Sequence, residues 1–243
     1  GFRLVTASQQ FPEGKEKYVH DMFRRIARRY DLLNRLLSLR QDVRWRRLTA
    51  EAARLKPGQT ALDVATGTGD LAFELARRVG AEGKVVGIDF VEEMLHIARA
   101  KAARLPEGAQ CVFEHANALA LPFDDATFHA ATIAFALRNV TDVTKCLQEM
   151  RRVVIPGGRV VVLELSKPVW PVFRQLYWVY FNRLVPLIGR ALQGVDGPYR
   201  YLPESVARFP DQEELVRIMR EAGLHDVGYR NLTGGIAAIH YCT

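Results

Sequence analysis

The chain has 243 residues, 49% of them hydrophobic and 25% charged, with 34 Lys and Arg against 27 Asp and Glu and so a net charge of +7. That balance belongs to a globular protein, and a chain this long buries about 70–75% of the surface its unfolded form exposes, which excludes disorder, collagen and small disulfide scaffolds. Cys111, Cys146 and Cys242 stand far apart without CxxC spacing, which argues against a zinc site or a disulfide framework and for reduced thiols in the cytoplasm.

Residues 1–17 are polar and hold no apolar signal core. From His20 to Arg47 the residues Val19, Met22, Phe23, Ile26, Tyr30, Leu33, Leu36 and Leu37 recur at three- and four-residue spacing and predict an amphipathic helix. Its polar face is basic: nine arginines against three aspartates put +6 of the net charge here. A further short helix is expected over Arg44–Leu55, ended by Pro57-Gly58.

The rhythm then changes to strands alternating with helices. Strands are predicted at Thr60–Ala65, Lys84–Asp89, Ala109–His115, Thr127–Ala134 and Arg159–Ser166, and helices at Asp70–Val79, Val91–Arg104 and Asp142–Val153. This alternation means parallel pairing in a doubly wound α/β sheet. Val169–Leu192 is the most hydrophobic stretch, but Arg174, Arg183 and Arg190 interrupt it and leave Gln175–Asn182 as its longest uncharged run, too short for the roughly 20 apolar residues a membrane span takes. A helix at Asp211–Ala222 precedes two strands, His225–Leu232 and Gly235–Cys242, which predict an antiparallel C-terminal edge and seven strands in all. The expected organisation is a single domain: a helical cap at 18–56, a ligand-binding core at 60–168, an aromatic insert at 169–200, and a C-terminal helix with its strand pair at 208–243.

The strongest motif is Asp63-x-x-x-Gly67-Thr68-Gly69-Asp70, which leaves the first strand and enters a helix. Glycine permits a tight turn and a close approach of ligand to backbone. Asp89 ends the next strand, 20 residues after Gly69, where a carboxylate accepts the ribose hydroxyls of a nucleoside. Asp63 and Asp70 bracket the loop with negative charge, which repels a pyrophosphate and favours a cation. S-adenosyl-L-methionine, with its sulfonium and ammonium groups, fits that better than a dinucleotide. The six histidines show no metal-ligand spacing, and no metal is expected.

The loop resembles the first motif of class I methyltransferases, and further segments narrow the likeness. Tyr30-Asp31-Leu32-Leu33-Asn34 followed by Trp45-Arg46-Arg47, then Phe135-Ala136-Leu137-Arg138-Asn139-Val140-Thr141-Asp142, then Arg151–Gly158 with Leu163–Pro168, and finally Tyr199–Ser205 and Gly235–His240 resemble the signatures of the quinone C-methyltransferases called UbiE or MenG. Ala136 stands where that family usually has glycine, and Ala134 where a serine contact is common. The resemblance runs over residues 18–243. It implies a Rossmann-like fold, S-adenosyl-L-methionine as methyl donor, and transfer to a ring carbon of a reduced isoprenoid quinone precursor. Demethylmenaquinol is favoured, and the benzoquinol of ubiquinone synthesis or another small lipid-like phenol is the alternative. It also implies cofactor contacts at Thr68, Asp89 with Phe90, and Asn117-Ala118, beside Asp63, Gly67 and Gly69 of the loop. Arg138 and Asn139, leaving the fourth strand beside the methyl donor, and Tyr30 from the cap are the candidates for the chemistry. Because a guanidinium stays protonated, Arg138 is expected to stabilise a quinolate rather than act as a base. His240, in the tail motif, is singled out among the histidines.

Arginine-rich helices also bind nucleic acid, but no recognition helix, zinc finger or RNA-sheet motif accompanies this one, so nucleic acid is not expected as a partner. The basic helix and the aromatics Trp170, Phe173, Tyr177, Trp178, Tyr180 and Phe181 instead suit the surface of an anionic membrane. A cytoplasmic protein with peripheral contact at the inner face of the cell membrane is expected, and a homodimer is left open.

Overall fold

The computed structural model describes residues 14–169, Tyr180 and residues 197–243. Trp170, Phe173, Tyr177, Trp178 and Phe181 of the aromatic insert lie outside the described residues, as do residues 1–13.

The core is a seven-stranded sheet: β1 (Thr60–Val64), β2 (Lys84–Asp89), β3 (Cys111–His115), β4 (Phe128–Ala134), β5 (Val154–Leu165), β6 (Gly228–Leu232) and β7 (Ala237–Cys242). Their order is β3-β2-β1-β4-β5-β7-β6. The first four neighbouring pairs are parallel, while β5–β7 and β6–β7 are antiparallel, as the sequence predicts. Strands buried on both faces read as continuous apolar runs, and Ala61, Leu62, Val64, Val85, Val86, Ile88, Val160, Val161 and Val162 are all at or below 2% exposure.

Helices cover both faces. One apolar cluster joins the sheet to α6 (Val143–Val153) and α8 (Gln212–Glu221) through Leu147, Met150, Leu215 and Met219. The other joins it to α3 (Gln41–Ala52), α4 (Asp70–Val79) and α5 (Glu92–Ala102) through Trp45, Phe73, Leu75 and Leu95. Asp142 and Asp211 start α6 and α8 by accepting the N–H of Lys145 at 2.8 Å and of Glu214 at 3.0 Å, the bond an N-cap residue supplies. The chain reverses its winding between β3 and β4, so β1 and β4 lie side by side. In such sheets the ligand crevice forms outside the carboxyl ends of the strands at that switch point.

Three differences from the sequence reading matter. The helix predicted over His20–Arg47 is broken into α1 (Lys15–Ile26), a 3-10 turn at Ala27–Arg29, α2 (Tyr30–Leu37) and the start of α3. Leu39 and Arg40 adopt φ of 51° and 62°, which no α-helix contains. Ser38 Oγ accepts the Asp42 N–H at 3.2 Å and donates to Asp42 Oδ1 at 2.8 Å, a local side-chain bond that competes with the helix. The breaks let Met22, Ile26, Leu33, Leu37 and Trp45 face one space. Second, β5 begins at Val154, not Arg159, because Pro156-Gly157-Gly158 forms an irregular stretch within the strand rather than a stop. Third, the insert before the last strands is expected to be helical and to end at residue 200, whereas α7 (Gly197–Arg208) runs on through residues given no helix. Pro203 inside it hides the helical pattern.

Candidate active site

The loop after β1 is held by its own backbone and by two carboxylates. Ala65, Gly67 and Gly69 take φ of 52°, 57° and 86°. The Thr66 N–H donates to the Ile88 carbonyl at 2.8 Å, and the Gly69 N–H to the Thr66 carbonyl at 3.0 Å. Gly67 leaves room above the loop: an added Cβ would meet only Tyr30 Cε1, at 3.9 Å. Gly69 is needed for packing instead, since a Cβ there would lie 2.9 Å from Phe113 and 3.0 Å from Phe73.

Asp89 ends β2 with 6% exposure. Its Oδ2 accepts the Gly67 N–H at 2.8 Å and its Oδ1 the Val91 N–H at 2.9 Å. Burial pushes its pKa up, and these backbone donors pull it back. The carboxylate therefore sets the loop against β2, and of its roughly four acceptor positions one is left for a further donor beside Gly67, Val91 and Phe90. Phe90 is half-buried beside it, its ring 5.6 Å from that of His20. Asn117 follows β3, and its side-chain oxygen accepts the Leu119 N–H at 2.8 Å. Ala118 packs against the α6 side of the core.

The charge bracket read from the sequence takes another form here. Asp63 is 1% exposed. Its oxygens accept from Thr66 Oγ1 at 2.6 Å and Thr132 Oγ1 at 2.7 Å, tying β1 to the loop and to β4. Burial raises its pKa to about 6. Asp70 bonds Lys101 Nζ at 2.5 Å and lies 3.8 Å from Arg35. Lys101 also reaches Asp31 at 2.8 Å, and Asp31 accepts from Thr68 Oγ1 at 2.6 Å. Both carboxylates are thus occupied within the protein, and the Asp70 network fastens α2 of the cap over the loop.

On the other side of the switch point, Phe135 leaves β4 with φ of 57°, a strained conformation for a bulky residue and a feature that clusters at functional sites. Its ring lies under the Arg46 guanidinium, 5.3 Å from centroid to Cζ, and 6.1 Å from the Trp45 ring. Arg138 donates to the Phe135 carbonyl at 2.5 Å and to Glu164 Oε1 at 2.6 Å, with 8% of its side chain exposed. Asn139 is 7% exposed, and its Oδ1 accepts from the Tyr201 hydroxyl at 3.2 Å.

These pieces surround a cavity of about 460 Å³ between the cap, the exit of β4, α7 and Thr233–Ile236, within the range of small-molecule sites. Its wall is mainly apolar, from Met22, Ile26, Leu33, Trp45, Leu202 and Ile236, with Tyr30, Asn34, Asp42, Arg138 and Tyr201 among its polar groups. Burial raises the pKa of Tyr30, against the opposing pull of Arg46 and Arg138, and raises that of Tyr201 likewise. Trp45 Nε1 donates to Thr233 Oγ1 at 3.0 Å and closes the wall.

The structure therefore brings Tyr30, Gly67, Asp89, Arg138 and Asn139 to the two sides of one switch point. His240 lies elsewhere, under α8. It is 2% exposed, stacked on Tyr229 at 5.4 Å, with Nε2 on the Gln212 carbonyl at 2.9 Å. Sequence reasoning passed over Asp42 and Lys101. The Asp42–Arg46 spacing of four on a helix was the available signal for the first. Lys101 meets Asp31 across 70 residues, which no local pattern displays. Among the described residues no cluster of His, Cys, Asp or Glu suits a metal ion, and no helix is long and apolar enough to cross a membrane.

Residues 12–243 match the ubiE/COQ5 methyltransferase family. A demethylmenaquinone methyltransferase of Thermus thermophilus is 52% identical over 220 residues, 90% of this chain and 98% of that protein. A ubiquinone/menaquinone biosynthesis C-methyltransferase UbiE of Geobacter sulfurreducens is 46% identical over 226 residues, 93% of this chain and 88% of that protein. Among solved structures, a SAM dependent methyltransferase from Aquifex aeolicus superposes with a TM-score of 0.58 at 25% identity, over 77% of this chain and 83% of that one.

Proposed function

The chain belongs to the ubiE/COQ5 methyltransferase family and is an S-adenosylmethionine-dependent methyltransferase, and from that premise we propose that it methylates a ring carbon of a reduced isoprenoid quinone precursor, demethylmenaquinol before its benzoquinol counterpart. The observation that carries this reading is the largely apolar cavity into which Tyr30, Asn34, Asp42, Arg138 and Tyr201 bring polar groups, with Tyr30 also lying against Gly67 of the glycine loop. S-adenosylmethionine supplies an electrophilic methyl group when bound. The loop fits it: Gly67 leaves open space, and the buried Asp89 carboxylate keeps an acceptor position for a ribose hydroxyl. Asn117 and Ala118 would face the adenine, and Thr68 is held by Asp31. The Arg138 guanidinium, fixed by Glu164 and the Phe135 carbonyl, stabilises negative charge on the ring oxygen, a contribution that is large where water is excluded. Asn139 and Tyr201 brace that corner, and Tyr30 separates loop from cavity.

The cap also supports contact with an anionic membrane. Leu32, Leu36, Leu39 and Val43 are 56%, 47%, 77% and 40% exposed, and Arg25, Arg28, Arg40, Arg44 and Arg47 are exposed around them. Leu39 also lines the cavity, so this surface meets the cavity at that residue. Basic residues near an anionic leaflet contribute about 1 kcal/mol each. The division into cap, core, insert and C-terminal unit follows the same reading, with the cap presenting substrate to the core at the cytoplasmic face. The test is turnover with S-adenosylmethionine and each reduced quinone precursor, carried in neutral or anionic vesicles, with methylated product followed by mass. Methylation of demethylmenaquinol, faster on anionic vesicles at low salt, is expected. No product from any quinol sinks the substrate reading, and indifference to lipid charge sinks the membrane reading.

A further inference from the structure

Carbon methylation of a quinol needs a proton acceptor, because the ring carbon becomes nucleophilic only as the neighbouring hydroxyl gives up its proton. The groups already assigned do not supply one. A guanidinium has no acceptor lone pair, which removes Arg138. Tyr30, Tyr180 and Tyr201 are phenols whose pKa values burial raises, so they keep their protons. Among the described residues that line the cavity, Asp42 is the one carboxylate, and no histidine is there.

Asp42 is 3% exposed, on the first turn of α3. Arg46 Nη1 donates to its Oδ2 at 2.6 Å and Ser38 Oγ to its Oδ1 at 2.8 Å. Ser38 in turn accepts the Asp42 N–H, so carboxylate and hydroxyl brace each other. A carboxylate has about four acceptor positions, and two of these are left. Arg46 also lies over the Phe135 ring, at the exit of β4, and its charge and that of Arg138 both act on Tyr30. The carboxylate thus belongs to the same group of charges that surrounds the loop and the end of β4.

We infer that Asp42 is the general base of the reaction, accepting the proton of the quinol hydroxyl beside the reacting carbon. This rests on the quinol reading above. The O–H bond breaks, and its proton passes to an Asp42 oxygen. The oxygen's electron pair drives the ring carbon onto the sulfonium methyl, and the S–CH₃ pair returns to sulfur to leave a neutral thioether. The ring carbon then loses its hydrogen to water as a proton. The ring oxygen regains its proton from Asp42, so one proton per turnover reaches solvent. Arg46 and Ser38 are positioning residues in this scheme.

The structural alternative is an ion pair that merely holds α3, and the acidity of the substrate separates the two. Asp42→Asn is expected to lower kcat by about 10²–10⁴-fold, the usual contribution of a general base, with calorimetric S-adenosylmethionine affinity near wild type. On halogenated quinols, whose hydroxyls ionise more readily, the deficit should shrink at least about tenfold, since a base matters less as its proton becomes more acidic. A kcat within about threefold of wild type, or a deficit independent of quinol acidity, overturns the assignment as a difference in transition-state stabilisation. If Asp42→Asn does not fold, Asp42→Glu carries the test. It keeps the charge against Arg46 but moves the oxygens, so its deficit must show the same dependence on quinol acidity, and a flat response overturns the assignment. A wild-type chain that methylates no quinol overturns the quinol reading and this assignment with it. Wild-type turnover beside an unaffected Asp42→Asn overturns the assignment alone.

Discussion

The glycine loop is closed by bonds between near neighbours, Thr66 to Asp63 across 3 residues and Gly67 to Asp89 across 22. The cavity wall is tied by Tyr201 to Asn139 across 62 residues and by Trp45 to Thr233 across 188. The loop joins two adjacent buried strands, so its shape follows once the sheet has formed. The cavity exists only when α2, α3, α7 and the β6–β7 connection all dock on the finished sheet. The polar contacts differ accordingly. The loop's carboxylates, Asp63 and Asp89, are buried and accept from hydroxyls and backbone N–H groups. The cap is fastened by partly exposed ion pairs through Lys101. Such pairs hold less tightly than buried packing, which suits a cover that must admit and release its ligands.

The sharpest way to break this comparison is to strain the loop. In Gly69→Ala the new Cβ carries a φ of 86° and lies within about 3 Å of two buried rings, Phe113 and Phe73. Left-handed strain and overpacking each cost about 1–3 kcal/mol, so a loss of about 3–5 kcal/mol in unfolding free energy is expected, together with loss of S-adenosylmethionine binding. Urea unfolding and calorimetry check it. An alanine variant as stable as wild type would mean that packing at Gly69 does not fix the loop.

The same contrast explains what the sequence disclosed. The number of strands, their largely parallel pairing, the antiparallel edge and the elements flanking the loop are legible because apolar runs alternate with helical periods, and Asp70–Val79 and Lys84–Asp89 fall where expected. The cap was legible as amphipathic but not as broken. Periodicity continues across Ser38–Arg40, and the Ser38–Asp42 bonds that interrupt the helix leave no trace in it. Asp63 was legible as a residue and misread as an open charge. Its hydroxyl partner Thr132 lies 69 residues away, and Lys101, which occupies Asp70, lies 31 residues away. Arg138 was found through its motif, but Glu164, which fixes it, is separated by 26 residues and a helix.

A smaller effect separates the two regions by pH. Burial lifts the pKa of Asp63 from 3.8 to about 6, so the folded chain binds a proton that the unfolded chain releases between these values. Stability from this group is full below about pH 4 and is lost as pH rises through about 6, about 3 kcal/mol in all at 1.36 kcal/mol per unit. Asp63→Asn has no such titration. The unfolding free energy of the variant minus that of wild type should therefore rise by about 3 kcal/mol from pH 4 to pH 7. Parallel stability curves would show that the Asp63 charge is fully compensated by Thr66 and Thr132.

The smallest effect belongs to the cap. Lys101 Nζ touches Asp31 of α2, Asp70 of α4 and the Thr68 carbonyl at 2.8, 2.5 and 3.1 Å, so one side chain fastens cover to loop. Lys101→Met keeps the length of the stem and removes the charge. Asp31 and Asp70 then face each other without their shared cation, and Asp70 keeps the Arg46 charge and Arg35, 3.8 Å away, as its neutralising groups. Lys101 is 25% exposed against 23% for Asp31, so solvent screens the pair and the cost is about 1 kcal/mol. Global unfolding will hardly register that. Hydrogen exchange will, because a cover that opens on its own exchanges by local unfolding with its own free energy. Amides of α2 in Lys101→Met should exchange about fivefold faster than wild type, the equivalent of about 1 kcal/mol, while those of α4 and β1 stay unchanged. Raising the salt concentration should bring wild type toward the variant, since ions screen the bridge in one and find nothing to screen in the other. Equal acceleration in α2 and β1 would mean that cap and core open as one unit, and the division between a fixed loop and a conditional cover would fail.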